Sequence, residues 1–172
     1  MASSIQETKI SGFATYLPAV AQSGLQVYQR TFEENRHRIY SLAFWMMDNE
    51  LAAEELMGST FRRVFCFAAQ PSAEQVDRAL VSELREIMPL GTLTLECSPC
   101  EQVYEVRRNT MRVDLERALV RLEATERLIF LMHDVENYDH ARIGRTLGVT
   151  EEESRNGLHQ ARLRMRELLA SS

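Results

Sequence analysis

Apolar residues return every three or four positions over long stretches of the chain, the spacing of one face of an α-helix. From about Tyr28 onward Phe32, Ile39, Leu42, Ala43 and Met46 keep that period. Asp48-Asn49 interrupts it and supplies a new N-cap. A second helix is expected from about Glu50 to Phe67, with Ala52, Leu56, Thr60, Phe61, Val64 and Phe65 on one broad side. Pro71-Ser72 breaks the chain again. Ser72 with Gln75 three residues on is a capping-box pattern, which predicts a third helix ending near Ile87. Before Tyr28 the pattern is weak and suggests only a short helix near Phe13–Ala21.

Residues 88–102 hold two of the four prolines and no helical period, so they read as a linker. Helices resume near Val103 and run to about Leu122, with Leu115, Ala118, Leu119 and Leu122 as the expected buried stripe. Thr125 is placed to cap a helix carrying Leu128, Ile129, Leu131 and Met132. Asn137 or Asp139 starts a short helix with Ala141, Ile143 and Leu147. Gly148 ends it, as glycine does at a helix C′ position. Thr150 with Glu153 forms a second capping box and opens a long terminal helix. The expected fold is all-α: two small helical domains joined by a linker, the C-terminal one a helix-turn-helix. Residues 1–27 form an N-terminal segment, 28–88 the first domain, 89–107 the linker and 108–172 the second domain.

Composition narrows this picture. Seven Gly and four Pro in 172 residues supply too little turn punctuation for a many-stranded β protein. Apolar residues at 45% and charged residues at 26% fit a globular chain and exclude a disordered one. The longest strictly apolar runs, such as Leu42–Met47, fall far short of the roughly 20 residues a membrane span needs. The first residues, Met1–Gln6, lack the basic flank and apolar core of a secretory signal, so a cytoplasmic location is expected. Three cysteines, Cys66, Cys97 and Cys100, argue against a disulfide framework.

The net charge of −5 is unevenly spread. Residues 1–106 carry 8 basic and 14 acidic side chains, and residues 107–172 carry 12 basic and 11 acidic. Arg155, Arg162, Arg164 and Arg166 crowd near the C-terminus, where a tight turn at Gly148-Val149 joins the two helices Tyr138–Leu147 and Thr150–Leu169. A short helix, a glycine turn and a longer helix make a helix-turn-helix, whose second helix enters the DNA major groove. On that second helix Arg155, His159, Arg162 and Arg166 fall at spacings of 4, 3 and 4, one narrow stripe. Ser154, Leu158, Ala161, Met165 and Leu168 form the neighbouring stripe, which can pack inward. Arg grips phosphate and guanine through its planar fork. Asn156 lies near the N-terminal end, where it could read a base edge, and Gln160 lies on the outer flank. The Glu151-Glu152-Glu153 run repels phosphate but complements the helix dipole. A solvated polar face is the plainer reading of the same stripe.

Five blocks in order carry a resemblance: Leu115-Glu116-Arg117-Ala118-Leu119 with Leu122; Arg127, Ile129 and Phe130; Met132 to His140; Arg142-Ile143-Gly144-Arg145-Thr146-Leu147-Gly148-Val149-Thr150; and Leu158-His159-Gln160-Ala161-Arg162-Leu163-Arg164. Residues 111–169 resemble the promoter-reading domain of bacterial RNA polymerase sigma factors of the extracytoplasmic-function class, in the sigma-70 superfamily. More weakly, Tyr40-Ser41-Leu42-Ala43, Asn49, Ala53-Glu54-Glu55-Leu56 and Phe61 to Phe65 are similar to the family domain that docks on core RNA polymerase and opens the promoter. The resemblance implies a transcription initiation factor. Its polymerase contacts would be Glu54, Glu55, Leu56, Phe61 and Arg62. Its contacts to the minus-thirty-five element would be Thr150, Ser154, Arg155, Asn156, His159, Gln160, Arg162 and Arg166. Core RNA polymerase, promoter DNA and an anti-sigma factor are the implied partners, with no cofactor, membrane or small-molecule substrate. The chain departs from the family pattern at Gly58-Ser59, at Glu153, Gly157 and Gln160, and over Ser72–Ile87. That last stretch has no aromatic residue on which a melted strand could stack.

Two other classes fit parts of the sequence. One is a sigma-like decoy or adaptor that occupies polymerase or an anti-sigma factor without melting DNA. The other is a repressor dimerising through its N-terminal helices. Cys97-Ser98-Pro99-Cys100 has no second cysteine pair to complete a zinc site, so incidental thiols are the preferred reading. His37, His133, His140 and His159 form no catalytic pattern. No Gly-rich phosphate loop, H-E-x-x-H or G-x-S-x-G supports an enzyme or a metal site. Trp45, with Phe44, Met46 and Met47, is expected in the core or between domains.

Overall fold

The computed structural model describes residues 17–91 and 111–171, with side chains from residue 24 onward. The described residues form seven α-helices and one π-helical turn, with no strand among them. The first helix, α1, is a single rod, Leu17–Met47. It begins earlier than the pattern at Tyr28 suggests and absorbs the described part of the short helix expected near Phe13–Ala21. Pro18 sits in its first turn, where a missing N–H removes no intrahelical bond. Phe13 to Tyr16 lie outside the described residues.

Asp48, at φ 52°, ends α1. Asn49 then caps α2 (Glu50–Phe67), its side-chain oxygen accepting from the Ala52 amide at 2.9 Å. The capping box at Ser72 and Gln75 is closed in both directions and starts α3 (Ala73–Ile87). These three helices bury Ile39, Leu42, Leu56, Phe61, Val76, Leu80 and Leu84 between them.

The second half opens with α4 (Arg112–Val120). Ala118, Leu119 and Leu122 are buried as expected, but Leu115 is 44% exposed. It borders an apolar cleft with Trp45, Phe130, Val135 and Met165 instead of entering the core. Helix α5 (Ala124–Phe130) is preceded by Glu123 as its N-cap, which corrects the placement of Thr125. Thr125 lies one residue inside the helix, and its hydroxyl donates to the Gly91 carbonyl at 3.2 Å. The chain then widens into a π-turn, Leu131–Val135, closed by the Glu136 amide on the Leu131 carbonyl at 3.0 Å.

Asp139 caps α6 (His140–Leu147), accepting from the Arg142 amide at 2.6 Å. Gly148, at φ 69°, ends it in the left-handed region. The Thr150–Glu153 box then opens α7 (Glu151–Ala170). Gly144 makes this turn possible: a Cβ there would lie 2.7 Å from the Val149 carbonyl oxygen, which is backbone and cannot swing away. Gly144→Ala should therefore lower stability by about 1–3 kcal/mol. Gly58→Ala, mid-helix in open space, should raise it by about 0.5–1 kcal/mol. Thermal melting of the two variants checks both signs.

Helices pack most closely within each half, and the buried apolar side chains of both halves join in one cluster. Trp45 is partly buried at the cleft where α1 meets α4, α5 and α7.

Candidate nucleic-acid interface

Helix α7 packs on α5 and α6 with Ser154, Gly157, Leu158, Ala161, Met165 and Leu169. The helical period then turns Arg155, His159, Arg162 and Arg166 outward, and all four are exposed. Two of these arginines are already paired. Arg155 bonds Glu151 one turn back on the same helix. Arg162 forks onto Asp134 of the π-turn, at 2.6 and 3.1 Å. Arg166 and His159 complete the stripe, while Arg164 turns the other way, 3.5 Å from buried Glu126 of α5.

The π-turn explains how Asp134 reaches α7. Its extra residue rotates His133 and Asp134 toward the helix-turn-helix. His133 then stacks on His140 with ring centroids 4.7 Å apart and meets Asp134 at 2.8 Å. Burial opposes ionisation of Asp134, but hydrogen bonds from Arg162 and His133 outweigh it and hold its carboxyl below the usual range.

His140 approaches the Ser154 hydroxyl at 3.0 Å. Burial pushes its pKa below the ordinary 6.5, and the neighbouring His133 and Arg155 charges push the same way. The folded state therefore prefers neutral His140. Its contribution is fully present above pH 6.5 and is lost as pH falls from there through the folded value. We expect the melting temperature to drop between about pH 7 and pH 5.5, and His140→Gln to reduce that drop.

A second polar network joins the halves. Asp77 of α3 is wholly buried. Its Oδ1 accepts from Arg38 at 2.8 Å and from the Tyr138 hydroxyl at 2.9 Å, and its Oδ2 accepts from Arg142 of α6 at 2.6 Å. The Arg142 guanidinium also lies 3.7 Å over the Tyr138 ring. Burial, and then the Asp77 charge, raise the Tyr138 phenol well above its ordinary value. Beside this node Glu74 meets Arg145 at 3.1 Å and Arg78 at 2.9 Å. Arg85 donates to the Leu147 carbonyl at the end of α6, and Arg127 to the Met46 carbonyl at the end of α1. Those carbonyls lack intrahelical partners, and a cation there suits the helix dipole.

Residues 112–165 match the family model described as sigma-70, region 4. Over 179 aligned residues the chain is 26% identical to an ECF RNA polymerase sigma factor SigE of Mycolicibacterium smegmatis, covering 93% of this chain and 68% of that relative. The C-terminal part of the chain thus matches sigma-70 region 4, and the chain is similar over most of its length to a sigma factor of the extracytoplasmic-function class. Among the described residues the fold is all-helical with a helix-turn-helix at the C-terminus, and the two matches support a sigma-factor-like transcription factor.

The expected DNA contacts do not all share one surface. Arg155, His159, Arg162 and Arg166 do; Asn156 and Gln160 flank them, half-buried. Thr150 is exposed at the start of α7, with its hydroxyl committed to the capping box. Ser154 is a correction. It is fully buried against His140, so with this packing it cannot meet DNA. Among the expected polymerase contacts, Glu54, Glu55 and Arg62 are exposed. Leu56 and Phe61 are corrections, 5% and 1% exposed, because they face α1 and α3 as core. Asp134, His133, Arg142 and Arg145 join the site although sequence reasoning assigns them no role there. Arg142 and Arg145, one turn apart on the first helix of the motif, carry a readable signal. The fork between Asp134 and Arg162 depends on the π-turn and carries none.

Among the described residues no group of three metal-ligating side chains occurs, and no helix is long and apolar enough to cross a membrane. Cys97 and Cys100 lie outside the described residues, and Cys66 is an exposed free thiol.

Proposed function

We propose that the chain is a transcription initiation factor that acts in the cytoplasm, binding core RNA polymerase through the α1–α3 half and the minus-thirty-five promoter element through α7. The observation that carries this reading is the exposed Arg155–His159–Arg162–Arg166 stripe on the second helix of a helix-turn-helix. Arg155 and Arg162 meet phosphate or a base edge, and Asn156 lies close enough to the N-terminal end to add a base contact. Glu54, Glu55 and Arg62 are offered to polymerase. The test is run-off transcription with purified core polymerase. A promoter-specific start supports the reading, and its absence with a folded chain rejects it. Arg155→Ala should weaken promoter binding and lower the slope of log affinity on log salt by about 1, as loss of one phosphate contact requires.

A specific observation favours a second reading, a sigma-like adaptor that binds polymerase or an anti-sigma factor without opening DNA. Helix α3 has no aromatic side chain, and its carboxylates are engaged by arginines of the chain itself. Permanganate footprinting separates the two: reactive thymines at a promoter support the initiation factor, and a bound but unreactive promoter supports the adaptor.

A further inference from the structure

Leu131–Val135 form a π-turn, a local widening of a helix that proteins keep most often at functional sites. Here it aims a carboxylate at another element. Asp134 receives the Arg162 guanidinium as a fork, Nε donating to Oδ2 at 3.1 Å and Nη2 to Oδ1 at 2.6 Å. A second route ties the same acid back to α7. His133 meets its Oδ1 at 2.8 Å and stacks on His140, which meets the Ser154 hydroxyl at 3.0 Å. The circuit leaves α7 at Ser154 and returns to it at Arg162, about two turns on. Arg155 is held differently: its partner Glu151 sits on the same helix, and the two side chains are 58% and 48% exposed.

A guanidinium carries five N–H groups in one plane. The fork uses the Nε–H and one Nη2–H, and leaves the Nη1 pair and the second Nη2–H away from Asp134. Those remaining coplanar donors suit two oxygens of a phosphate. The Arg162 side chain is 48% exposed and that of Asp134 24%, so the cation stands forward of its anion. Arg162 also lies about 16 Å along α7 from Glu151, taking 1.5 Å per residue. In a helix-turn-helix the N-terminal residues of the second helix contact base edges, so a cation this far along meets the DNA backbone. We propose that Asp134 is a positioning residue for DNA recognition. It holds Arg162 ready for one backbone phosphate and so fixes the register in which Arg155 and Asn156 meet bases. Phosphate contacts set register and orientation without reading sequence. A side chain already held in its bound geometry loses less freedom on binding.

The inference rests on the reading of α7 as the DNA-binding helix, and its test keeps the two apart. The parent chain, reconstituted with core RNA polymerase, selects duplexes from a random pool. The readout for each variant is the ratio of its affinities for a selected duplex and for the scrambled counterpart, measured by competition. Asp134→Asn keeps the shape but sets an amide N–H against the guanidinium, and should lower the ratio about 3–10-fold. Arg162→Lys keeps the charge without the fork, and should lower the ratio to a similar degree with the salt slope unchanged. Arg162→Ala should lower it at least as far, and Asp134→Asn added to that variant should change the ratio no further. Circular dichroism checks that each variant keeps its helix content. A role of Asp134 in folding alone would weaken binding to both duplexes together and leave the ratio where it was. A ratio unchanged in Asp134→Asn and Arg162→Lys, or a further fall in the Arg162→Ala background, overturns the inference and leaves the DNA-binding reading standing. A parent chain that selects no duplex rejects that reading, and the inference with it.

Discussion

Phe61→Ala should lower the unfolding free energy by about 3–5 kcal/mol, the usual effect of emptying a buried aromatic site. A domain holds only about 5–15 kcal/mol in total, so this one change would leave the chain marginal. The side chain is 1% exposed and packs its ring 5.0 Å from that of Phe32, with Leu56 and Val64 buried on the same side of α2. Its neighbour Arg62 points outward, so Arg62→Ala should shift stability by no more than about 0.5 kcal/mol. Urea unfolding of the pair measures the difference. If Phe61→Ala kept its unfolding midpoint and lost only polymerase binding, Phe61 would be a docking residue and its place in the core would be wrong.

Asp77→Ala should also cost about 3–5 kcal/mol, the usual penalty for breaking a buried charge pair from one side. Two guanidiniums and a phenol converge on this carboxylate, and the Arg38 and Arg142 side chains are only 19% and 30% exposed. Without Asp77 they face each other with no anion between them. Asp77→Asn keeps an acceptor for Tyr138 and removes only the charge, so it should melt between the parent and the alanine variant. Equal melting temperatures for all three forms would mean that water already screens the node.

Most helix ends are legible in the sequence because their caps are local. Asn49, Ser72 with Gln75, Asp139, Gly148 and Thr150 with Glu153 each act within a few residues of themselves. The inward stripe of α7 is legible too, since one period governs it. Facing is lost where a family block is transferred whole, without regard to the side each residue takes. Leu56 and Phe61 belong to the periodic side of α2 that the spacing marks as inward, and Ser154 belongs to the packed stripe of α7. The bond between His140 and Ser154, the fork between Arg162 and Asp134, and the Asp77 node join residues that no local pattern connects. The π-turn at Leu131–Val135 leaves no mark in the hydrophobic spacing, yet it aims Asp134 at α7. In sequence the acidity of α3 is only a departure from the family pattern; the fold gives it a partner by setting the α6 arginines opposite it.

Gel filtration of the purified chain with core RNA polymerase tests the central claim most directly. The account predicts that the chain travels with polymerase and that Glu54→Lys with Glu55→Lys releases it while leaving its helix content intact. A folded parent chain that elutes apart from polymerase at every salt concentration would contradict the account.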